Sequence, residues 1–177
     1  ALPIWNSKLG ATVTAQRIAE VKFLRAHFYY KLITVFRKVP WIDEEVFKNN
    51  TQEKTPNDAL TYQQLYEKII ADFKTAYDVL PETQSERARA HKIAAASYLA
   101  KCYLDLAWGD GYEQTTGVSH INPTDMQKVI DYTDAVVGSN YGYLEDYGDI
   151  FLPEHKNSKE SIFAVQCSDY KDDNTTF

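Results

Sequence analysis

The sequence predicts a mainly α-helical fold, with antiparallel helix pairs joined by long loops and a minor β element near the C-terminal end. Three observations point there. Four segments repeat apolar residues at steps of three and four, and each is bounded by a capping or helix-breaking residue. The link between the second and third is also short enough to favour a hairpin. At 177 residues, with 44% hydrophobic and 25% charged side chains, the chain suits one domain with a buried core.

The first helix spans Ala15 to Phe36. Ile18, Val21, Phe23, Leu24, Ala26, Phe28, Tyr29, Leu32 and Val35 cover most of its circumference, so it is expected to lie buried among neighbours. Arg25 sits inside that run. An unpaired buried charge is costly, so a carboxylate from another element is expected beside its guanidinium, direct ligand binding being the alternative. Val39-Pro40 closes the helix. Trp41 to Leu60 is polar and irregular, a surface loop long enough for a binding role.

The second helix opens on a capping box, Thr61 with Gln64. Leu65, Tyr66, Ile69, Ile70, Phe73 and Ala76 then form one stripe that runs towards Pro81. The third covers Ala90 to Ala107, with Ala94, Ala95 and Ala96 permitting close approach of a neighbour, and Gly109-Asp110-Gly111 stops it. A second loop runs to Asn122. Pro123 opens the fourth helix and Gly138 caps it. Ser161 to Cys167 reads as a strand. Helix pairs of this kind suggest a tetratricopeptide-like superhelix, although the long loops break the regular period of about 34 residues.

The composition excludes several functions. A net charge of -6 leaves no reserve of cations for a polyphosphate backbone, so no nucleic-acid partner is expected. No apolar run reaches the roughly 20 residues of a membrane-spanning helix. Two cysteines make neither a disulfide framework nor a zinc site, and Cys102 and Cys167 read as buried inert thiols. There is no phosphate loop, nucleophile elbow or paired-His zinc motif. His27, His91, His120 and His155 are scattered and read as structural. Asp43, Glu44 and Glu45 in one loop, with Asp105 and Asp110 around the third helix end, are the carboxylates available to a glycosidase. No enzyme activity is expected. Asp169, Asp172 and Asp173 could donate oxygens to a structural calcium ion, the sole cofactor considered.

The aromatic content is the unusual feature: 13 Tyr, 8 Phe and 3 Trp. Trp41, Trp108, Tyr112 and Tyr170, together with Trp5, fall in loops or at helix ends. A flat ring there can pack on the C–H face of a sugar while neighbouring Asn or Asp bonds its hydroxyls; the structural alternative is that each ring fills a gap under a loop.

The stretch from Ala19 to Tyr30, AEVKFLRAHFYY, followed by Val39-Pro40, resembles the conserved helix of the SusD/RagB family. Tyr66 to Leu80, Ala94 to Tyr103, the tyrosine-rich turn from Tyr141 to Phe151, and Glu160 to Gln166 (ESIFAVQ) are similar to its later motifs, in order. The resemblance implies an outer-membrane surface lipoprotein of Bacteroidota. Such a protein binds oligo- or polysaccharide without cleaving it and delivers it to a SusC-like TonB-dependent transporter. It also implies that residues 1–177 form a single SusD-like helical domain belonging to a longer, lipid-anchored chain. Arg37-Lys38 stands where the family usually has a Gly, and the family's variable contact residues do not map onto particular positions here. A helical-repeat adaptor for a protein or peptide remains the alternative class, with a glycan-cleaving enzyme the third.

Overall fold

The computed structural model describes residues 11–49, 51–86, 88–108 and 121–164. Five α-helices occur among them: α1 (Ala11–Phe36), α2 (Glu44–Lys48), α3 (Tyr62–Val79), α4 (Lys92–Ala107) and α5 (Pro123–Val137). Short 3₁₀ turns lie at Gln52–Lys54, Tyr147–Phe151 and Pro153–His155. The four long helices are those the periodicity predicts. α2 is an addition. Asp43 caps it by accepting from the Glu45 and Val46 amides at 3.2 and 3.0 Å, and Glu44 and Glu45 then favour the positive end of its dipole.

Each long helix packs antiparallel on the next, α1 on α3, α3 on α4 and α4 on α5. Contacts fix the directions: Tyr30 meets Tyr66 and Arg25 meets Asp72, while Gln16 reaches Gln84 beyond the far end of α3. The core between them combines Ala19, Phe23, Ala26 and Ile33 of α1 with Leu65, Ile69 and Phe73 of α3 and Ala94, Ala95 and Leu99 of α4. Phe73 stacks on Tyr98 with centroids 5.0 Å apart, and Phe23 meets both rings edge-on, the offset and edge geometries that ring quadrupoles favour. The expectation that α1 is buried on most sides is not met. Opposite its core face, Val21, Leu24, Phe28, Leu32 and Val35 are exposed.

The ends of the helices show how the residues act. In α3, Thr61 accepts from the Gln64 amide at 3.2 Å and the Gln64 side chain accepts from the Thr61 amide at 2.9 Å, the predicted capping box. α4 starts two residues later than expected because His91 is its cap, with Nδ1 accepting from the Ala94 amide at 3.3 Å. That acceptor role places the ring proton on Nε2, the donor to the Ile162 carbonyl at 2.8 Å. α1 stops at Phe36, before Val39-Pro40, because Arg37 turns left-handed with φ of 63°. Gly138 closes α5 in the right-handed region, and what it supplies is room: a Cβ there would stand 3.2 Å from the Asp134 carbonyl oxygen.

The expected β element is not formed among the described residues. Ser161 donates its amide to the Ser158 carbonyl in a turn, and the Ile162 carbonyl is taken by His91, so this backbone has no ladder to join. Ile162 and Phe163 instead pack against the core. Val165 to Cys167 lie outside the described residues.

The predicted partner of Arg25 is Asp72, which is 4% exposed. Nε and Nη2 donate to its two oxygens at 2.6 and 2.9 Å, a bidentate pair, and Nη1 reaches Glu44 at 2.9 Å. Burial works against the guanidinium charge, but the bonds to Asp72 and Glu44 outweigh it and hold the group more firmly protonated than usual. Removing Asp72 would leave a largely buried cation with only the exposed Glu44 carboxylate. Asp72→Ala is therefore expected to cost about 3 kcal/mol, whereas Glu44→Ala, at an exposed carboxylate, should cost less than about 1 kcal/mol; urea unfolding of both variants checks the contrast. At Arg37, relief of a left-handed conformation costing an L-residue about 1–2 kcal/mol exceeds the extra freedom glycine gains when unfolded. Arg37→Gly should thus raise the urea midpoint with an unchanged slope.

Candidate functional site

The antiparallel order puts the C-terminal ends of α1 and α4 and the N-terminal ends of α3 and α5 together. The Arg37–Thr61 connection and Trp108 therefore belong to the same end of the bundle. Trp41 starts that connection, yet it is only 6% exposed and belongs to the core. One tyrosine explains why. The Tyr29 hydroxyl accepts from the Ile42 amide at 2.7 Å and donates to the Pro40 carbonyl at 3.1 Å, so it straps residues 40–42 onto α1. Its ring lies 4.3 Å from the Trp41 ring, and the cations of Arg25 and Lys68 stand 5.1 and 5.5 Å from the indole centroid. The indole N–H bonds Asp43. Trp41 thus takes the gap-filling role, with no open face for a sugar.

Trp108 differs. It follows the last residue of α4 and is 48% exposed, so part of its ring remains available at a helix end. Nearby, the Asn122 amide donates to the Ala107 carbonyl at 2.8 Å, and its side chain caps α5 through the Thr124 and Asp125 amides. Tyr112 and Tyr170 lie outside the described residues, as do Trp5 and the proposed calcium ligands Asp169, Asp172 and Asp173. Among the described residues no cluster of three His, Cys, Asp or Glu is placed to hold a metal ion.

Further exposed aromatics lie at the opposite end, in the segment that follows α5. Tyr143 is 84% exposed, and Tyr147 and Phe151 are exposed rings in edge contact at 5.5 Å. In the sequence they fall within the segment from Tyr141 to Phe151 that resembles the family's tyrosine-rich turn. The turn is anchored behind them: Tyr141 stacks on His91, and the Leu144 amide donates to Glu160 at 3.2 Å.

Of the carboxylates considered for a glycosidase, Asp43, Glu44 and Asp105 are bound into the scaffold, and Asp110 lies outside the described residues. The amides of Val46 and Glu45 hold Asp43 below the ordinary carboxylate range. For Glu44, burial pushes upward, but hydrogen bonding and Arg25 leave it lowered. Both are thus held as anions. Asp105 accepts from the buried Tyr66 hydroxyl at 2.8 Å, and Tyr62 in turn donates to Tyr66 at 2.9 Å. Cys102 is fully buried, and burial pushes its thiol up, which disfavours the thiolate. His27 is buried among Phe23, Tyr98 and Phe163, and burial lowers its basicity; its Nδ1 has no hydrogen-bond partner among the described residues.

A stack of antiparallel helices with a half-open tryptophan at one end and an exposed aromatic turn at the other defines a helical scaffold that presents its connections. Residues 6–104, more than half of the chain, match the SusD-like family described as "Starch-binding associating with outer membrane". The chain belongs to that family. It is 39% identical over 89 residues to SusD-like protein P2 of Formosa agariphila, covering 49% of this chain and 17% of that one. It is 29% identical over 164 residues to a SusD-like protein of Bacteroides ovatus, covering 91% and 28%. With the starch-binding protein SusD of Bacteroides thetaiotaomicron it shares 28% over 154 residues, covering 86% and 24%. The chain therefore spans only 17–28% of these relatives' length. The fold is shared with a SusD-like protein of Bacteroides fragilis at a TM-score of 0.70 and 24% identity, over 91% of this chain and 29% of that one. A laminarin-binding SusD-like protein superposes at 0.68 with 22% identity, over 92% and 32%.

The buried hydroxyls carry a pH consequence. Burial, reinforced by the bond to Tyr62 and the Asp105 charge, raises Tyr66 far above its usual value; burial and Asp105 do the same for Tyr30, and burial beside Tyr103 pushes Tyr132 up to about 12. Each holds its proton more tightly folded than unfolded. Their contribution is fully present below the ordinary value of 10.0 and is lost as pH rises above it. The urea midpoint is expected to fall above pH ~10, each buried tyrosine adding up to about 1.4 kcal/mol per pH unit, and Tyr66→Phe should flatten that slope.

Proposed function

We propose that this chain is part of a surface protein that binds oligo- or polysaccharide and passes it, uncleaved, to a SusC-like TonB-dependent transporter in the outer membrane. The observation that carries this reading is membership of a family described as starch-binding and outer-membrane-associated. The names of relatives support the ligand class, starch for one and laminarin for another. The helices serve as scaffold. Trp108 is the described aromatic best suited to stack on a pyranose, because its ring is half open and lies beside a long connection. Surface exposure and a lipid anchor belong to the same reading, and so do ligand contacts by Tyr112 and Tyr170 and a calcium site at Asp169, Asp172 and Asp173.

Affinity electrophoresis of the family-length protein through gels containing starch, laminarin or other plant and host polysaccharides tests the reading. Retardation by at least one glycan is expected, and Trp108→Ala should weaken it about tenfold, a loss of ~1.4 kcal/mol. If no glycan retards the protein while a barrel partner co-purifies, the adaptor class replaces it. Release of reducing ends from a retarding glycan would instead make the protein an enzyme.

A further inference from the structure

α1 has two apolar faces, and the described structure covers only one of them. The second is formed by Val21, Leu24, Phe28, Leu32 and Val35, which advance by three or four residues and therefore lie in one line along the helix. Val21, Phe28 and Val35 are 53%, 59% and 72% exposed. Folded domains rarely leave so continuous an apolar strip bare, and a helix apolar on opposite sides is one that packs on both. The flanking polar groups are turned to other work: Lys22 and Arg25 both meet Asp72.

We propose that this strip seats the remainder of a family-length SusD-like chain, packed onto α1 as an intramolecular partner. The relatives supply the reason. The matched stretches of 89 to 164 residues cover only 17–28% of the relatives, and the strip lies inside the segment, residues 6–104, that matches the family. A second copy fits less well. The one carboxylate of α1, Glu20, already meets Arg17 and Arg89, so a second strip laid face to face would offer Lys31 no α1 carboxylate. The complementary surface should be apolar with acidic residues at its margin.

Hydroxyl-radical footprinting of the 177-residue chain and of the family-length chain carrying it tests the proposal. Phe28, Leu32 and Val35 should be oxidised at least about fivefold more slowly in the longer chain, with buried Phe73 protected in both. Equal rates at the strip overturn it. So does protection in the short chain, whether it grows with concentration, as a second copy would cause, or not. A variant independent of the short chain's folding is Val35→Asp in the family-length protein. Its melting temperature should fall by several degrees, and unchanged melting would overturn the proposal.

Discussion

The bidentate pair between Arg25 and Asp72 is the constraint on which the arrangement depends. It joins the middle of α1 to the middle of α3, and its planar, two-pronged geometry admits one register between them. A buried pair returns little net energy once both charges have been desolvated, so its contribution is chiefly positional. From the same guanidinium one bond goes to Glu44 at the start of α2, and the guanidinium carbon stands over Trp41. One side chain thus sets how two long helices meet and where the first connection lies.

Packing around that register is aromatic. Phe23, Phe73, Tyr98 and Phe163 close the space between α1, α3 and α4 through edge and stacked contacts, and three alanines at the start of α4 let its backbone come near. His91 then works in two directions at once. It caps α4 with one ring nitrogen and fastens Ile162 with the other, so the segment after α5 folds back onto the start of α4. The two ends of the bundle acquire different characters as a result. One carries the strapped first connection and Trp108; the other carries the exposed turn around Tyr147.

For a SusD-like chain, this division separates support from presentation. The rings that hold the scaffold are saturated by neighbours, as Trp41 is by Tyr29, Arg25 and Lys68. Rings free to meet a ligand or another part of the protein are those whose neighbours run out at a helix end or in a turn, as at Trp108 and Tyr143. Ring type and loop position do not distinguish the two groups.

Unlike the short α2, the four long helices, the α3 capping box, a carboxylate partner for Arg25 and the family itself were legible in the sequence. Each depends on residues close in the chain, on spacing, or on the high cost of leaving a buried charge alone. Three features depended on contacts between distant residues. The identity of that partner as Asp72 required α1 and α3 to be laid in register. Trp41 was sealed by a hydroxyl twelve residues earlier, and the extended look of Ser161–Ala164 gave way because His91, some seventy residues away, had already claimed its carbonyl. Periodicity shows which faces are apolar, but only packing decides which of them are covered. That is why α1, apolar almost all round, emerged with one face in the core and the other outward.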